Sequence, residues 1–233
     1  MGRIVRASSV VVVAASCGGL SPATREGREI EGLWVVFLWA GLGVAVIVSG
    51  LILWTTIRYR RRPGDDDLPP QFREHVGLEI AYTLIPIVIV AVLFLLTVQT
   101  ESTVERATDR PAASVEVEAH NWSWRFTYRG SGVTIFGTPD EPPEAVLPVG
   151  LPVRISLTSP DVIHSFFVPA FLFKRDAIPG RTTTFDLTID RAGLYQGKCA
   201  EFCGLDHWRM RFTIRAVPPA EFEAWLADQA VPT

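Results

Sequence analysis

Cys199-Ala200-Glu201-Phe202-Cys203-Gly204-Leu205-Asp206-His207-Trp208-Arg209-Met210 places two thiols, an imidazole and a thioether within twelve residues, spaced by four, four and three. Such residues are scarce in this chain: it has three Cys, four His and two Met, one of them Met1. Thiolate and thioether are soft ligands and imidazole is borderline, a mixture that selects copper over magnesium or calcium. A Cys pair in an exported domain is most often a disulfide. A Met beside aromatics usually fills core space, and a Cys near a His can be a nucleophile with its base. The spacing of His207 and Met210 favours the metal. A disulfide needs neither residue, a thiol hydrolase needs one Cys, and zinc rarely recruits Met.

One Cys, two His and a weak Met would hold a single blue copper. The second Cys points further, because two thiolates can bridge two copper ions that share one electron. The local motif is one imidazole short of that set. Asp161-Val162-Ile163-His164-Ser165-Phe166 supplies a candidate thirty-five residues before Cys199, in an apolar, strand-like run. A His in such a run is commonly a satisfied core residue. The vacancy in the ligand set favours His164 as a ligand.

Cys-Ala-Glu-x-Cys-Gly-x-x-His-x-x-Met together with Asp-Val-x-His-Ser resembles subunit II of the heme–copper cytochrome c oxidases, whose binuclear copper centre is called CuA. The resemblance implies that Cys199 and Cys203 bridge two copper ions. It implies further that His164 and Met210 complete one ion, and His207 with the Glu201 backbone carbonyl the other. It also implies a magnesium ion shared with subunit I through the Glu201 side chain. The implied partners are oxidase subunit I with its heme and copper, further oxidase subunits and cytochrome c. The implied activity is that of the electron-entry subunit of a cytochrome-c oxidase: electrons from cytochrome c pass through CuA to heme in subunit I, where oxygen is reduced to water, coupled to proton translocation. Phe173-Lys174-Arg175-Asp176-Ala177-Ile178-Pro179-Gly180-Arg181 resembles the family segment that faces subunit I.

Outward from this core, the rest of the chain reads as an export segment, an anchor and a β-domain. Met1 to Leu20 has a basic start at Arg3 and Arg6 and a short apolar run, Val10 to Ala15, too short to span a bilayer. Ala14-Ala15-Ser16-Cys17-Gly18 resembles a bacterial lipoprotein cleavage site with Cys17 as the lipidated residue; ordinary small-residue cleavage nearby is the alternative. Leu33–Ile57 is an uncharged run of twenty-five residues, longer than the roughly 20 a bilayer core requires. Arg58-Tyr59-Arg60-Arg61-Arg62 follows and marks the cytoplasmic side. After a loop broken by Pro and Gly, a second span over Val76–Val98 returns the chain to the outside. Together, residues 30–100 form a two-helix transmembrane hairpin, which puts both the N-terminus and the later domain outside a bacterial cell membrane.

Glu79 stands out in the second span, since a carboxylate among apolar membrane residues is a functional candidate by default. Its place near the cytoplasmic end also allows it simply to reach interfacial water. Glu79-Ile80-Ala81-Tyr82-Thr83-Leu84-Ile85-Pro86 resembles the family's Glu-x-x-Trp-Thr-x-x-Pro, with Tyr82 in place of Trp. That match implies a glutamate at the entrance of a proton-uptake channel.

Residues 112–233 form the outer domain. Val115–Ala119, Ser123–Tyr128, Val153–Thr158, Thr182–Ile189 and Arg211–Val217 read as short strands between Gly and Pro breaks, the pattern of a β-sandwich or barrel. Ligands gathered in one late loop, with one more from an earlier strand, fit a cupredoxin-like Greek key. Ala220 to Asp228 has helical spacing and closes the chain. The fold expected is therefore a transmembrane hairpin followed by an all-β cupredoxin-like domain with a short C-terminal helix. In His120-Asn121-Trp122-Ser123-Trp124-Arg125-Phe126, alternation at period two reads as strand packing for Trp124 and Phe126, with His120 structural. The resemblance makes Trp122 the entry point for the electron.

A net charge of −3 argues against a nucleic-acid binder, which would usually be basic. Asp140, Glu141, Glu144, Asp161, Asp186 and Asp206 offer an acidic surface that could steer a basic heme protein. No Cys-x-x-Cys-His occurs, so the donor heme belongs to another protein or chain. Three rivals are weaker. Quinol-oxidase subunits resemble the chain less because they have lost the copper ligands, and nitrous oxide reductase is soluble, longer and without the hairpin. A membrane-anchored copper chaperone or storage protein needs neither Glu79 nor Trp122.

Overall fold

The computed structural model describes residues 21–61, 64, 71 and 73–229. Met1 to Leu20, the expected export segment with Cys17, lies outside the described residues. The chain divides into two compact units, one made of residues 21–31 with 102–229 and the other of residues 32–101.

The hairpin unit is built on two long helices, α1 (Arg25–Arg58) and α2 (Val76–Val104), which contain the two expected spans and extend beyond them. Both are apolar and long enough to cross a bilayer, and none of their most apolar stretch is buried within the chain. Side chains apolar on every face need lipid or protein around them. At the start of α2, His75 and Glu79 cap the helix reciprocally. The Leu78 N–H donates to His75 Nδ1 at 3.1 Å, and the His75 N–H donates to Glu79 Oε1 at 3.2 Å. The Leu78 N–H also reaches the His75 carbonyl at 2.9 Å, while the bond to Glu79 gives the His75 N–H, just before the first turn, a partner.

The other unit is a sandwich of two five-stranded sheets. The first has the order β3-β2-β1-β5-β8 and the second β4-β10-β9-β6-β7. The strands are β1 (Ala113–His120), β2 (Ser123–Tyr128), β3 (Thr134–Phe136), β4 (Glu144–Pro148) and β5 (Pro152–Thr158), then β6 (His164–Val168), β7 (Phe173–Ala177), β8 (Thr183–Thr188), β9 (Gly193–Cys199) and β10 (Arg211–Val217). Helix α3 (Pro219–Gln229) follows. All five strands expected from the alternation are present. Parallel pairs β1–β5 and β4–β10 join the antiparallel ones, as crossovers between sheets require.

Alternating burial sends Val115, Val117 and Ala119 of β1 and Ile155 and Leu157 of β5 into the space between the sheets. Its centre is aromatic. Trp124 meets Phe212 edge-on at 4.9 Å, and Phe212 stacks on Phe166 at 4.8 Å. Such pairs contribute about 0.5–1.5 kcal/mol each beyond the area they bury. Phe212 also dictates its neighbour across the sheet: a Cβ at Gly197 would lie 2.2 Å from the ring, so that position of β9 has room only for glycine.

Residues 21–31 belong to this unit by direct bonding. The Ala23 N–H donates to the Ala170 carbonyl at 2.7 Å, and the Asp190 N–H donates to the Ala23 carbonyl at 2.8 Å. Thr24 bridges Ile189 just beyond the edge strand β8. Thr108, after α2, is fastened to the same edge. Its N–H donates to Asp186 Oδ2 at 2.6 Å, and Arg154 grips both Asp186 oxygens at 2.8 Å. The exposed edge is thus covered by the chain itself.

Candidate metal centre

Strand register assembles the site. Phe166 of β6 lies opposite Cys199 of β9, so His164 at the start of β6 falls beside the end of β9, where the ligand loop leaves. The Ala200 N–H donates to the Ser165 carbonyl at 3.2 Å, and the Cys199 N–H to the Met210 carbonyl at 2.9 Å. The second bond closes the loop at its base. Met210 therefore returns next to the cysteine from which the loop departs.

The result is a compact set of soft donors around two buried free thiols. Cys199 Sγ and Cys203 Sγ are 3.9 Å apart. Cys199 Sγ lies 3.9 Å from His164 Nδ1 and 3.2 Å from the Glu201 carbonyl oxygen. Cys203 Sγ lies 3.5 Å from His207 Nδ1 and 3.7 Å from Met210 Sδ. Each sulfur thus has an imidazole nitrogen and a weak donor within 3.9 Å. The donor atoms of His164, Cys199 and Cys203 all lie within 4.8 Å of one another. Burial of His164 and Met210 keeps the cluster dry on one side.

Asp161 decides what His164 can do. Its carboxylate accepts from His164 Nε2 at 2.9 Å, and a carboxylate has no proton of its own to give, so Nε2 carries the hydrogen. That leaves Nδ1 turned to the sulfur as the coordinating atom, the arrangement expected of a metal-binding histidine with an outer-shell carboxylate. Asp161 is itself held by the N–H groups of Asn121 and Val162, both at 2.7 Å, and by the Ser159 hydroxyl at 3.1 Å. Partial burial raises the Asp161 carboxyl, but the bonds from Asn121, His164, Val162 and Ser159 outweigh it and hold the group at about 2.

The two thiols are unequal. Burial pushes Cys199 up, but its bonds with His164 and the neighbouring backbone prevail and bring it to about 7. Cys203 is pushed up to about 12 by burial and by the charge of Cys199 beside it. A cation beside the pair would favour the second thiolate, which is how metal binding couples to thiol ionisation.

The aromatic segment reaches the loop through Trp122, whose indole Nε1–H donates to the Cys203 carbonyl at 3.0 Å. Gly204 makes room for it. Its φ is +116°, and a Cβ there would lie 3.3 Å from the indole ring. Glu201 places its carbonyl at Cys199 and its side chain elsewhere, with Oε1 2.5 Å from Lys174 Nζ, which also lies 3.0 Å from Asp176. Glu79 sits in the other unit, in the first turn of α2. The structure thus brings together His164, Cys199, Glu201, Cys203, His207, Met210 and Trp122.

Two roles were not legible beforehand. The acids counted as a steering surface are largely engaged within the domain: Asp140 and Asp206 with Arg209, Glu144 with Arg215, Asp186 with Arg154, and Asp161 as described. Of the six, only Glu141 has a carboxylate with no such partner among the described residues. The orienting role of Asp161 was missed, though a carboxylate three residues before a candidate ligand was its signal. Lys174 on Glu201 left no local signal at all, since the two are twenty-seven residues apart.

Several known proteins are similar to this chain. The family described as cytochrome c oxidase subunit II, periplasmic domain, matches residues 140–217, a stretch that contains all six donor residues. A probable cytochrome c oxidase subunit 2 from Streptomyces avermitilis is 38% identical, over 90% of this chain and 78% of that one. The cytochrome c oxidase subunit 2 of Mycobacterium tuberculosis is 30% identical, over 91% of this chain and 73% of that one. The solved periplasmic domain of subunit II of cytochrome oxidase from Bradyrhizobium japonicum is similar at 31% identity, with a TM-score of 0.48 over 53% of this chain and 96% of that one.

Replacing Asp161 by Asn keeps the size of the group but removes its charge and one acceptor oxygen, freeing the His164 ring to turn. Copper retention against a competing chelator should fall by about 10–100-fold, the usual effect of losing an outer-shell partner. Retention equal to that of the unaltered chain would show that Asp161 does not orient His164.

Proposed function

The chain belongs to the cytochrome c oxidase subunit II family, and from that premise we propose that it is the electron-entry subunit of the oxidase complex. In this reading it takes electrons from a c-type cytochrome at the Cys199–Cys203 cluster and delivers them toward heme in subunit I, for oxygen reduction coupled to proton translocation. The observation that carries this is the pair of buried sulfurs 3.9 Å apart, each within 3.9 Å of an imidazole Nδ1. The donor set fits copper by its softness. Two copper ions held by His164, Cys199, the Glu201 carbonyl, Cys203, His207 and Met210 would supply one-electron chemistry with little rearrangement.

The protein's part is to bind, orient and exclude water. The Phe166–Cys199 register and the Cys199–Met210 bond hold the loop so that its donors converge. Asp161 fixes the His164 tautomer. Trp122 joins the aromatic segment to the ligand loop through one hydrogen bond and is the proposed entry point for the electron. The apolar side chains of Phe202, Leu205 and Trp208 are exposed on the same loop, leaving a surface suited to a protein partner.

Glu79 is proposed as the entrance to a proton path on the inner side, where the arginines after the first span place that end of the hairpin. Two apolar helices and an outer β-domain fit a protein anchored in a bacterial cell membrane, with residues 30–100 as anchor and 112–233 as redox domain. A magnesium ion shared with subunit I at Glu201 would lie beside the Lys174 ammonium, which holds only Oε1 of that carboxylate.

Two experiments on the assembled oxidase separate these roles. Trp122→Phe keeps an aromatic ring but loses the bond to Cys203. Electron uptake from reduced cytochrome c should slow about tenfold or more with copper content unchanged, equivalent to a barrier higher by at least about 1.4 kcal/mol. An unaltered uptake rate would remove Trp122 from the path. Glu79→Gln retains an oxygen to accept the His75 N–H and abolishes only ionisation. Oxygen consumption should drop while the copper spectrum stays the same, and undiminished turnover would refute the proton-entry role.

A further inference from the structure

The outward face of the β4-β10-β9-β6-β7 sheet opens into a groove of about 780 Å³ beside the ligand loop. Strand register builds it. Phe167 of β6 lies opposite Lys198 of β9, and Lys198 lies opposite Arg211 of β10, so the three stand in one row across the sheet. Their chain neighbours Phe166, Cys199 and Phe212 are buried, and alternation along the strands turns the row itself outward. The Lys198 ammonium stands 5.8 Å from the centre of the Phe167 ring. Pro169, Gln196 and the exposed Trp208 line the groove with them.

Like charges directly opposite on neighbouring strands, with Cβ atoms about 4.5–5.5 Å apart, destabilise a sheet. The acids of this sheet and of the ligand loop are engaged with other cations: Glu144 with Arg215, Asp176 and Glu201 with Lys174, Asp206 with Arg209. Lys198 and Arg211 are exposed, and neither has a hydrogen bond or ion pair among the described residues. They form a doubly positive spot on a chain whose net charge is −3. Two cations this close attract a carboxylate or a phosphate, and a guanidinium grips either through two parallel N–H bonds. A free phosphate would leave Phe167, Pro169 and Trp208 uncovered. A protein segment can cover both parts of the lining, and aromatic rings with Arg are what protein interfaces favour. A basic electron donor would be repelled by the pair, which leaves a resident subunit as the occupant.

We propose that this groove docks an acidic segment of another subunit of the oxidase complex, with a carboxylate shared between Lys198 and Arg211 and a neighbouring apolar side chain laid on Phe167, Pro169 and Trp208. None of the lining residues belongs to the segment 173–181, so this contact lies beyond the one expected of β7. The inference rests on the chain's place in an oxidase complex, proposed above, but not on the number of copper ions.

The test is carbodiimide coupling of the purified, assembled oxidase, which joins an amine to a carboxylate in contact with it, read by peptide mass spectrometry. Lys198 should couple to an Asp or Glu of another subunit. Its acetylation should be about tenfold slower in the complex than in the full-length chain separated from its partners in detergent, the effect of tying the ammonium into about one charge-assisted hydrogen bond. Arg211→Gln, at an exposed position, should lower the coupling yield and speed Lys198 acetylation severalfold, with copper content and thermal midpoint unchanged. Coupling of Lys198 only within its own chain, or no coupling with acetylation as fast as in the separated chain, would overturn the proposal. Coupling to added cytochrome c alone would place the electron donor in the groove and overturn the resident subunit. Equal protection of Lys198 by inorganic phosphate in the separated chain would assign the pair to a free anion and overturn the docking. The subunit composition of the preparation, read before coupling, tests separately whether the chain belongs to an oxidase complex, so loss of that premise and loss of the docking site give different results.

Discussion

The antiparallel pairing of β6 with β9 is the constraint on which the site depends. Placing Phe166 opposite Cys199 brings His164 beside the first thiol, and it also buries Phe166 against Phe212 and Trp124 between the sheets. One register therefore sets both the core and the ligand set. A slip by one residue would turn Phe166 outward and His164 away from the sulfur together, because strand side chains alternate with a period of two. Packing energy from the aromatic centre is thereby committed to the geometry of the metal centre. The loop from Cys199 to Met210 is then held by its base bond, by the Ala200 and Trp122 hydrogen bonds and by the Arg209 contacts with Asp140 and Asp206.

Further from the thiol cluster, the edge strand β8 plays a similar part for the anchor. Ala23 and Thr24 arrive at Ile189 and Asp190, and Thr108 arrives at Asp186, so both connections to the hairpin are fastened within one short stretch of chain. The Arg154–Asp186 pair is well suited to this, since a bidentate guanidinium offsets the cost of a nearly buried carboxylate better than a single bond could. The segment before the first span is thus part of the outer domain's fold as well as a lead into the membrane.

Much of this was legible in the sequence because the signals were local. Cys199 to Met210 is a motif within twelve residues, the spans are unbroken apolar runs, and the five expected strands alternate cleanly. The strands that escaped notice lack such signals. In β9, Gly193, Gly197 and Lys198 weaken the propensity, and Gly197 is present only because Phe212 lies across it. In β7, Lys174, Arg175 and Asp176 read as a loop, although pairing with β6 holds them extended. Long-range roles were hidden for the same reason. Nothing near Glu201 announces Lys174, and nothing near Asp140 or Glu144 announces the arginines that engage them. Composition shows which charges exist; only the fold shows which are already paired.

The central claim is that the two thiols and their imidazoles form one binuclear copper site, and the most direct measurement is made on the full-length chain loaded with copper. Metal content and electron paramagnetic resonance should give two copper ions per chain sharing a single unpaired electron, with the shared signal absent in Cys199→Ser. One copper with an isolated-ion spectrum, or none with Cys199 and Cys203 joined as a disulfide after reduction and metal loading, would contradict the account.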